Sequence, residues 1–291
     1  PSATSHHSVT PFKLTYSLLQ RRTAEFNDIT KDNPALGRSL EDQFIPSMGY
    51  TYTYDDASIT TKRNHLWWQS SVTQAGLIID AAYAIAGKNF NEREKHLLGN
   101  KFAQFVKVTS EIRYNYDLGH RQHLVGRLMG GVAYSYGNAI TTPYSEQFYI
   151  GGANSIRAFT IRSIGPGSYH PTDSKYGYLD QTGDIKFEAN LEYRFPILGD
   201  LHGATFLDAG NVWLLRYDES RPGGQLKWGR FLKDLALGTG IGLRYDLTFL
   251  VIRLDWGIGL HVPYDTGKKG YYNITNFKDG MGVHLAIGYP F

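Results

Sequence analysis

Cysteine is absent from the 291-residue chain, and methionine occurs only three times. A disulfide framework, a cysteine-ligated zinc site and a cysteine nucleophile are thereby excluded. Charge is also sparse: 20% of residues are charged and the formal net charge is +3. The basic residues are dispersed rather than clustered, which argues against a nucleic-acid partner. No stretch approaches the roughly 18 uninterrupted apolar residues of a membrane-spanning helix. The longest, Ala75 to Gly87, is short and carries Asp80. Helical membrane proteins are excluded on that ground. Enzyme signatures are missing as well, with no His-Glu-x-x-His metal motif and no Gly-x-Ser-x-Gly elbow. Gly238-Thr239-Gly240-Ile241-Gly242 superficially resembles a nucleotide loop, but Leu243 stands where a third glycine belongs. Small residues where barrel strands curve or another chain approaches explain it better. No catalytic residue, metal site or cofactor is expected, and His6-His7 reads as a flexible terminal pair.

What is plentiful points elsewhere. Aromatic residues make up 14% of the chain, with 21 Tyr, 5 Trp and 32 Gly. A mean hydropathy of −0.35 would ordinarily accompany a water-soluble protein. A transmembrane β-barrel survives that test, because it hides its apolar surface by alternation while Tyr, Trp and Gly rise. The dominant periodicity is indeed two. Phe12 to Leu18 and Gly49 to Asp55 alternate cleanly, and Leu66 to Leu77 is strand-like. In Lys101 to Asp117, one face reads Phe102, Val106, Val108, Ile112, Tyr114 and Tyr116; the other carries Lys107, Glu111, Arg113 and Asp117. The pattern continues through His123 to Gly137, Ile185 to Phe195, Gly203 to Trp213, Leu235 to Asp246, Phe249 to Leu260 and Gly282 to Phe291.

That makes about ten strands, several near the length a tilted membrane strand needs. A soluble sandwich also alternates, but charge repeated at period two over many strands suits a wet lumen. Tight connections near Asp117 to Arg121, Gly199 to His202 and Asp246 to Thr248 interleave with long ones. The long ones are Gln20 to Asp42, Asp80 to Asn100, Asn138 to Gly183, Leu214 to Lys233 and His261 to Gly280. Strict up-and-down winding puts every long loop on one side, the asymmetry of a bacterial outer-membrane barrel. Tyr116, Tyr136, Trp213 and Tyr289, near strand ends, read as an interfacial girdle. Lys107, Glu111, Arg113, Glu188, Arg194, Arg244, Arg253 and Asp255 read as a balanced network on the lumen wall. Asn273-Ile274-Thr275 is a glycosylation-type triplet without meaning in such a membrane.

The loop between the fifth and sixth of these strands contains Gly151-Gly152-Ala153-Asn154-Ser155-Ile156-Arg157-Ala158-Phe159, then Ile164-Gly165-Pro166-Gly167. This resembles the sixth-loop signature of the BamA/TamA superfamily of outer-membrane assembly and secretion barrels. Asn190 to Pro196 looks like that family's twelfth strand, and Phe206 to Trp213 like its thirteenth. The ending Leu285, Ile287, Tyr289, Phe291 is similar to the family's terminal assembly signal. One departure is Ala158, where the family usually has Gly. The resemblance implies an all-β, antiparallel, up-and-down transmembrane barrel domain over 1–291, with loop 138–183 folded into the lumen. It implies a loop-to-wall lock of Arg157 with Glu192 and Asp208, and Phe159 anchoring the tip. Gly151, Gly152, Asn154, Ile156 and Gly165 would shape the loop. Family barrels have sixteen strands and carry this loop between the eleventh and twelfth, so about ten strands here suggest the C-terminal part of a sixteen-stranded barrel, with a complete smaller barrel the lesser alternative; the start at Pro1 without a leader suggests a processed protein or a fragment. The implied function is non-enzymatic protein insertion or translocation at the bacterial outer membrane, acting through a lateral seam where the last strand of the barrel meets the first and through the lumen-inserted loop, with unfolded outer-membrane proteins as clients, accessory assembly proteins, and lipid around the barrel. A passive pore, or a barrel carrying an upstream enzyme domain, would share the strand pattern.

Overall fold

The computed structural model describes residues 3–18, 23–32, 34–57, 59, 62–89, 94–139, 141–171, 177–247 and 249–291. Ten strands form one antiparallel sheet. In chain order they are β1 (Ser5–Ser17), β2 (Gln43–Asp55), β3 (His65–Ala75), β6 (Phe105–Gly119), β7 (Gln122–Ser135), β8 (Ile185–Leu198), β9 (Leu201–Trp213), β10 (Ala236–Asp246), β11 (Val251–His261) and β12 (Met281–Ile287). β4 (His96–Leu97) and β5 (Asn100–Lys101) make a separate small hairpin. Each strand of the large sheet pairs with its neighbour in sequence, an up-and-down meander. Every alternating stretch of the sequence contributes a strand, and all five long connections leave from the same end of the strands. Thr248, in the β10–β11 turn, and residues 140 and 172–176 of the longest loop lie outside the described residues.

The sheet is strongly curled. β8 and β12 are four strand spacings apart, about 19 Å on a flat sheet. Yet the Arg194 guanidinium of β8 lies 4.2 Å from the centre of the Tyr289 ring just beyond β12. Curvature follows from glycine on the concave side. Gly240 of β10, Gly257 of β11 and Gly282 of β12 stand in one row of the register. The two faces differ as their solvents do. On β10 and β11 the outward residues Ile241, Leu243, Tyr245, Ile252, Leu254 and Trp256 are exposed, whereas inward Arg244, Arg253 and Asp255 are buried. An apolar exterior and a charged interior invert the soluble pattern and match a barrel wall against lipid.

Several boundaries differ from expectation. β1 starts at Ser5, because a register shift between Thr10 and Lys13 accommodates Pro11 and lets the strand continue. The His pair is therefore inside a strand: His7 pairs with Tyr52, and its Nδ1 lies 2.7 Å from Tyr50 Oη. Trp213 is not part of a girdle. It is fully buried and stacked on Phe231 at 5.2 Å, because the loop after β9 folds back over it. Asn273 is structural: its side chain donates to the Val262 carbonyl at 2.8 Å and accepts from the Val262 amide at 2.9 Å. β12 ends at Ile287, where Gly288 has φ 83° and turns the chain. Tyr289 and Phe291 thus leave the alternation that Leu285 and Ile287 keep. Three short helices occupy long connections: α1 (Ala24–Asp32), α2 (Pro34–Ser39) and α3 (Leu77–Ile85). None of the described helices is long and apolar enough to cross a membrane.

Candidate functional site

The concave face of β7 to β12 is filled by the loop between β7 and β8. Its apolar residues Phe148, Ile150, Ile156, Ala158, Phe159 and Ile164 form one cluster with Val212, Ala236, Val262 and Ile274. Burying these side chains supplies the cohesion that a long connection otherwise lacks. The loop's own backbone is tightly folded: the Gly152 amide donates to the Phe159 carbonyl at 2.7 Å, and Arg162 N–H to Ile150 O at 2.9 Å. Gly151 and Gly152 have φ of 97° and 90°. At Gly151 the Thr160 carbonyl also crowds the space a side chain would need, so both conformation and room require glycine.

Arg157 sits at the loop tip with no solvent exposure. Its Nε and Nη2 donate to the two oxygens of Asp208 at 2.9 and 2.8 Å, a bidentate fork, and its backbone amide adds a third bond to Asp208 at 3.1 Å. Its Nη1 donates to Glu192. The guanidinium also lies 3.5 Å from the centre of the Phe206 ring. A planar fork matches this arrangement, and lysine does not. The structure thus brings Arg157, Glu192 and Asp208 together, and seats Phe159 against Gly259 of β11.

Other groups join that were not singled out with them. Arg244 Nη2 reaches Glu192 at 3.1 Å, and its Nη1 lies 2.6 Å from Asp255, an electrostatic pairing not aligned as a hydrogen bond. Arg194 pairs with Glu192 at 2.8 Å. Arg253 donates to Asn154 Oδ1 at 2.5 Å and to the Ala153 carbonyl at 3.1 Å. Asn190 bridges the Ser155 carbonyl and Asp208, both at 2.9 Å. His284 of β12 meets the Arg157 carbonyl at 2.9 Å. Around the second loop carbonyl, Arg127 binds Asn154 O at 3.2 Å and Glu188 at 3.1 Å. The expected wall charges are therefore not one uniform lining. Glu188, Arg253 and Asp255 meet the loop itself, whereas Arg194 and Arg244 reach wall carboxylates, Glu192 and Asp255. Lys107 instead binds Glu146, ahead of the signature, at 3.1 Å, while Glu111 pairs with Arg127 and Arg113.

Ala158 and the glycine row explain one another. Ala158 is not among the residues with positive φ, so its methyl group imposes no backbone strain. Its Cβ instead points at Gly238, where a built Cβ would come within 2.5 Å. At Gly257 a Cβ would meet the Arg157 carbonyl oxygen at 2.5 Å. Inward glycines on three adjacent strands were the signal, legible in the sequence, that a backbone lies close above them.

A curled antiparallel sheet, apolar outside and charged inside, with a long loop ion-paired to its inner face, defines the wall of a membrane β-barrel. The Omp85 superfamily domain matches residues 8–291. The chain belongs to that superfamily and is a β-barrel protein of the bacterial outer membrane. Among similar proteins, the outer membrane protein assembly factor BamA of Nitratidesulfovibrio vulgaris is 30% identical over 197 residues, 67% of this chain and 22% of that protein. BamA of Neisseria meningitidis is 34% identical over 88 residues, 28% of this chain and 11% of that protein. The human sorting and assembly machinery component 50 homolog is 28% identical over 170 residues, 57% of this chain and 34% of that protein. The chain thus spans a minor part of these relatives. The crystal structure of BamA from Haemophilus ducreyi lacking POTRA domains 1-3 covers 95% of this chain and 57% of its own, with TM-score 0.46 and 13% identity.

Proposed function

We propose that this chain is the barrel portion of a protein that inserts or translocates other proteins at the outer membrane. It acts without catalytic residues or cofactors, and its clients are unfolded outer-membrane proteins. The supporting observation is the buried Arg157 fork on Asp208 together with its bond to Glu192, in a chain related to assembly factors. In this reading, loop 138–183 occupies the lumen, and Arg157, Glu192, Asp208 and Phe159 lock it to the wall. The locked loop braces one side of the barrel and leaves the β12 edge as the weak element. β12 has 7 residues, against 11 or more in every other strand of the large sheet. A short edge strand can hand its backbone groups to an incoming strand by edge pairing, with accessory assembly proteins delivering clients. Leu285 and Ile287, exposed on that edge, face lipid.

The test is client insertion into vesicles by the full-length protein carrying Arg157→Ala. Insertion is expected to fall sharply, while Gly126→Ala, where a Cβ meets nothing within 4 Å, leaves it intact. Full activity of the Arg157 variant would contradict the reading. A disulfide joining β12 to its neighbour across the seam should likewise stop insertion.

One observation favours a second reading, a passive pore. A cavity of about 730 Å³ lies between β3, β6 and the loop, with Ser71, Thr73, Lys107 and Thr109 among its lining residues. Steady conductance in planar bilayers would support the pore, and only fitful openings would support the plugged assembly barrel.

A further inference from the structure

The apolar run around α3, which the barrel has no need of as a strand, forms a helix with an unusual surface. Leu77, Ile78, Ala81, Ala82 and Ile85 are all exposed, Ile78 at 60% and Ile85 at 89%. At 100° per residue these positions fall within an arc of about 140°, so one whole face is apolar and uncovered. The opposite side is pinned. Asp80 is fully buried and paired with the equally buried Lys95, and Tyr83 donates to the His96 carbonyl. Asn138, just beyond β7, ties the Lys95 backbone with bonds of 2.9 and 2.7 Å.

The side of the wall on which α3 lies follows from its neighbours. Gln74 shares the outward phase of β3 with Trp68 and Val72, both exposed, and its Oε1 accepts from the Leu77 amide at 3.1 Å. Tyr136 continues the outward phase of Val132 and Tyr134, and its hydroxyl donates to the Ala75 carbonyl at 3.4 Å. The helix therefore lies on the exterior of the sheet, at the rim from which the long loops leave. Its apolar face continues the outward belt of Tyr50, Val72, Val108 and Val132, which are neighbours in register across β2, β3, β6 and β7. At its far end Lys88 lies 5.4 Å from the Tyr83 ring, an aromatic and a cation where the headgroup region would be.

We infer that α3 is an interfacial helix, laid against the barrel wall with Leu77, Ile78, Ala81, Ala82 and Ile85 immersed in the acyl chains of the long-loop leaflet. The occupant is lipid because the face is continuous with the lipid-facing belt, carries no charge, and shields its one ion pair on the side away from it. The helix would fix the depth of this rim in the bilayer and thicken the wall beside β3.

The absence of cysteine from these residues makes single-site nitroxide labelling within them direct once any cysteine elsewhere in the protein is replaced by serine. Ile78→Cys, Ile85→Cys, Leu128→Cys on the outward face of β7, and Glu219→Cys in an exposed loop would each be labelled in the full-length protein. The proteins would be reconstituted in phosphatidylcholine and phosphatidylglycerol vesicles. Collision with oxygen should exceed collision with a nickel chelate at 78 and 85, as at 128, with the opposite order at 219. An aqueous order at 78 and 85, or access to neither reagent because protein covers the face, would overturn the inference. An aqueous order at 128 as well would overturn the spanning of the membrane with it.

Discussion

β1 and β11 are written in the same alternating code, but only one of them shows it in its burial. Along β11, residues of the inward phase from Arg253 to His261 are buried and those between them are not. Along β1 almost every residue is exposed, on both faces, including Val9, Phe12 and Leu14. The difference is the occupant. β11 has Arg157, Ala158 and Phe159 pressed onto its glycines, whereas the inner sides of β1 to β3 carry no comparable plug among the described residues. Alternation specifies which face meets which solvent. Whether the inner face is dry depends on a loop that arrives from elsewhere in the sequence.

That contrast can be broken at its strongest point first. Arg157→Ala leaves Glu192 and Asp208 buried with less compensation, and is expected to cost about 3–5 kcal/mol of local stability. The loop should then be cut by protease in the folded protein, at a rate the parent does not approach. A smaller effect, about 1–3 kcal/mol, is expected for Gly257→Ala, whose methyl group would collide with the Arg157 carbonyl in a packed site. Urea unfolding in vesicles measures it. On the other side of the molecule, Gln69→Ala on β3, which loses a single 3.1 Å bond to Thr53, should stay within about 0.5 kcal/mol of the parent. An equal cost at Gln69 and Gly257 would erase the distinction between the two regions.

The smallest expected effect concerns the β2–β3 turn. Burial of Asp56 works against its ionisation, but hydrogen bonds from Lys62 and from the Leu66 amide outweigh it, and the carboxyl is held below the ordinary range. Its contribution is therefore present above the unfolded carboxylate pKa and is lost as pH falls through the lower, folded value. Protection of the Leu66 amide, which donates to Asp56 at 2.7 Å, should decline only under acid, as read by hydrogen exchange corrected for intrinsic rate.

The strands were legible because each carries its own signal: an apolar residue every second position, facing lipid. Arg157, Glu192 and Asp208 could be named together only through the family motif, since residues 157 and 208 share nothing local. The remainder of the cluster was hidden for the same reason. Asp255, Asn190 and His284 reach the loop, and Arg244 reaches Glu192 and Asp255, through curvature that no single strand encodes, though the glycine row hinted at it. α3 was visible as an apolar run, but its placement outside the wall depends on Asn138 and Tyr136, far along the chain. Trp213 misled because a tryptophan at a strand end suits a girdle equally well until a loop folds over it.

The central claim, that Arg157 holds the loop to the wall through Asp208, is tested most directly by a double-mutant cycle on Arg157→Ala and Asp208→Ala, read by unfolding in vesicles. A coupling of about 1.5 kcal/mol or more is predicted for a buried bidentate pair; additivity within about 0.5 kcal/mol would contradict it.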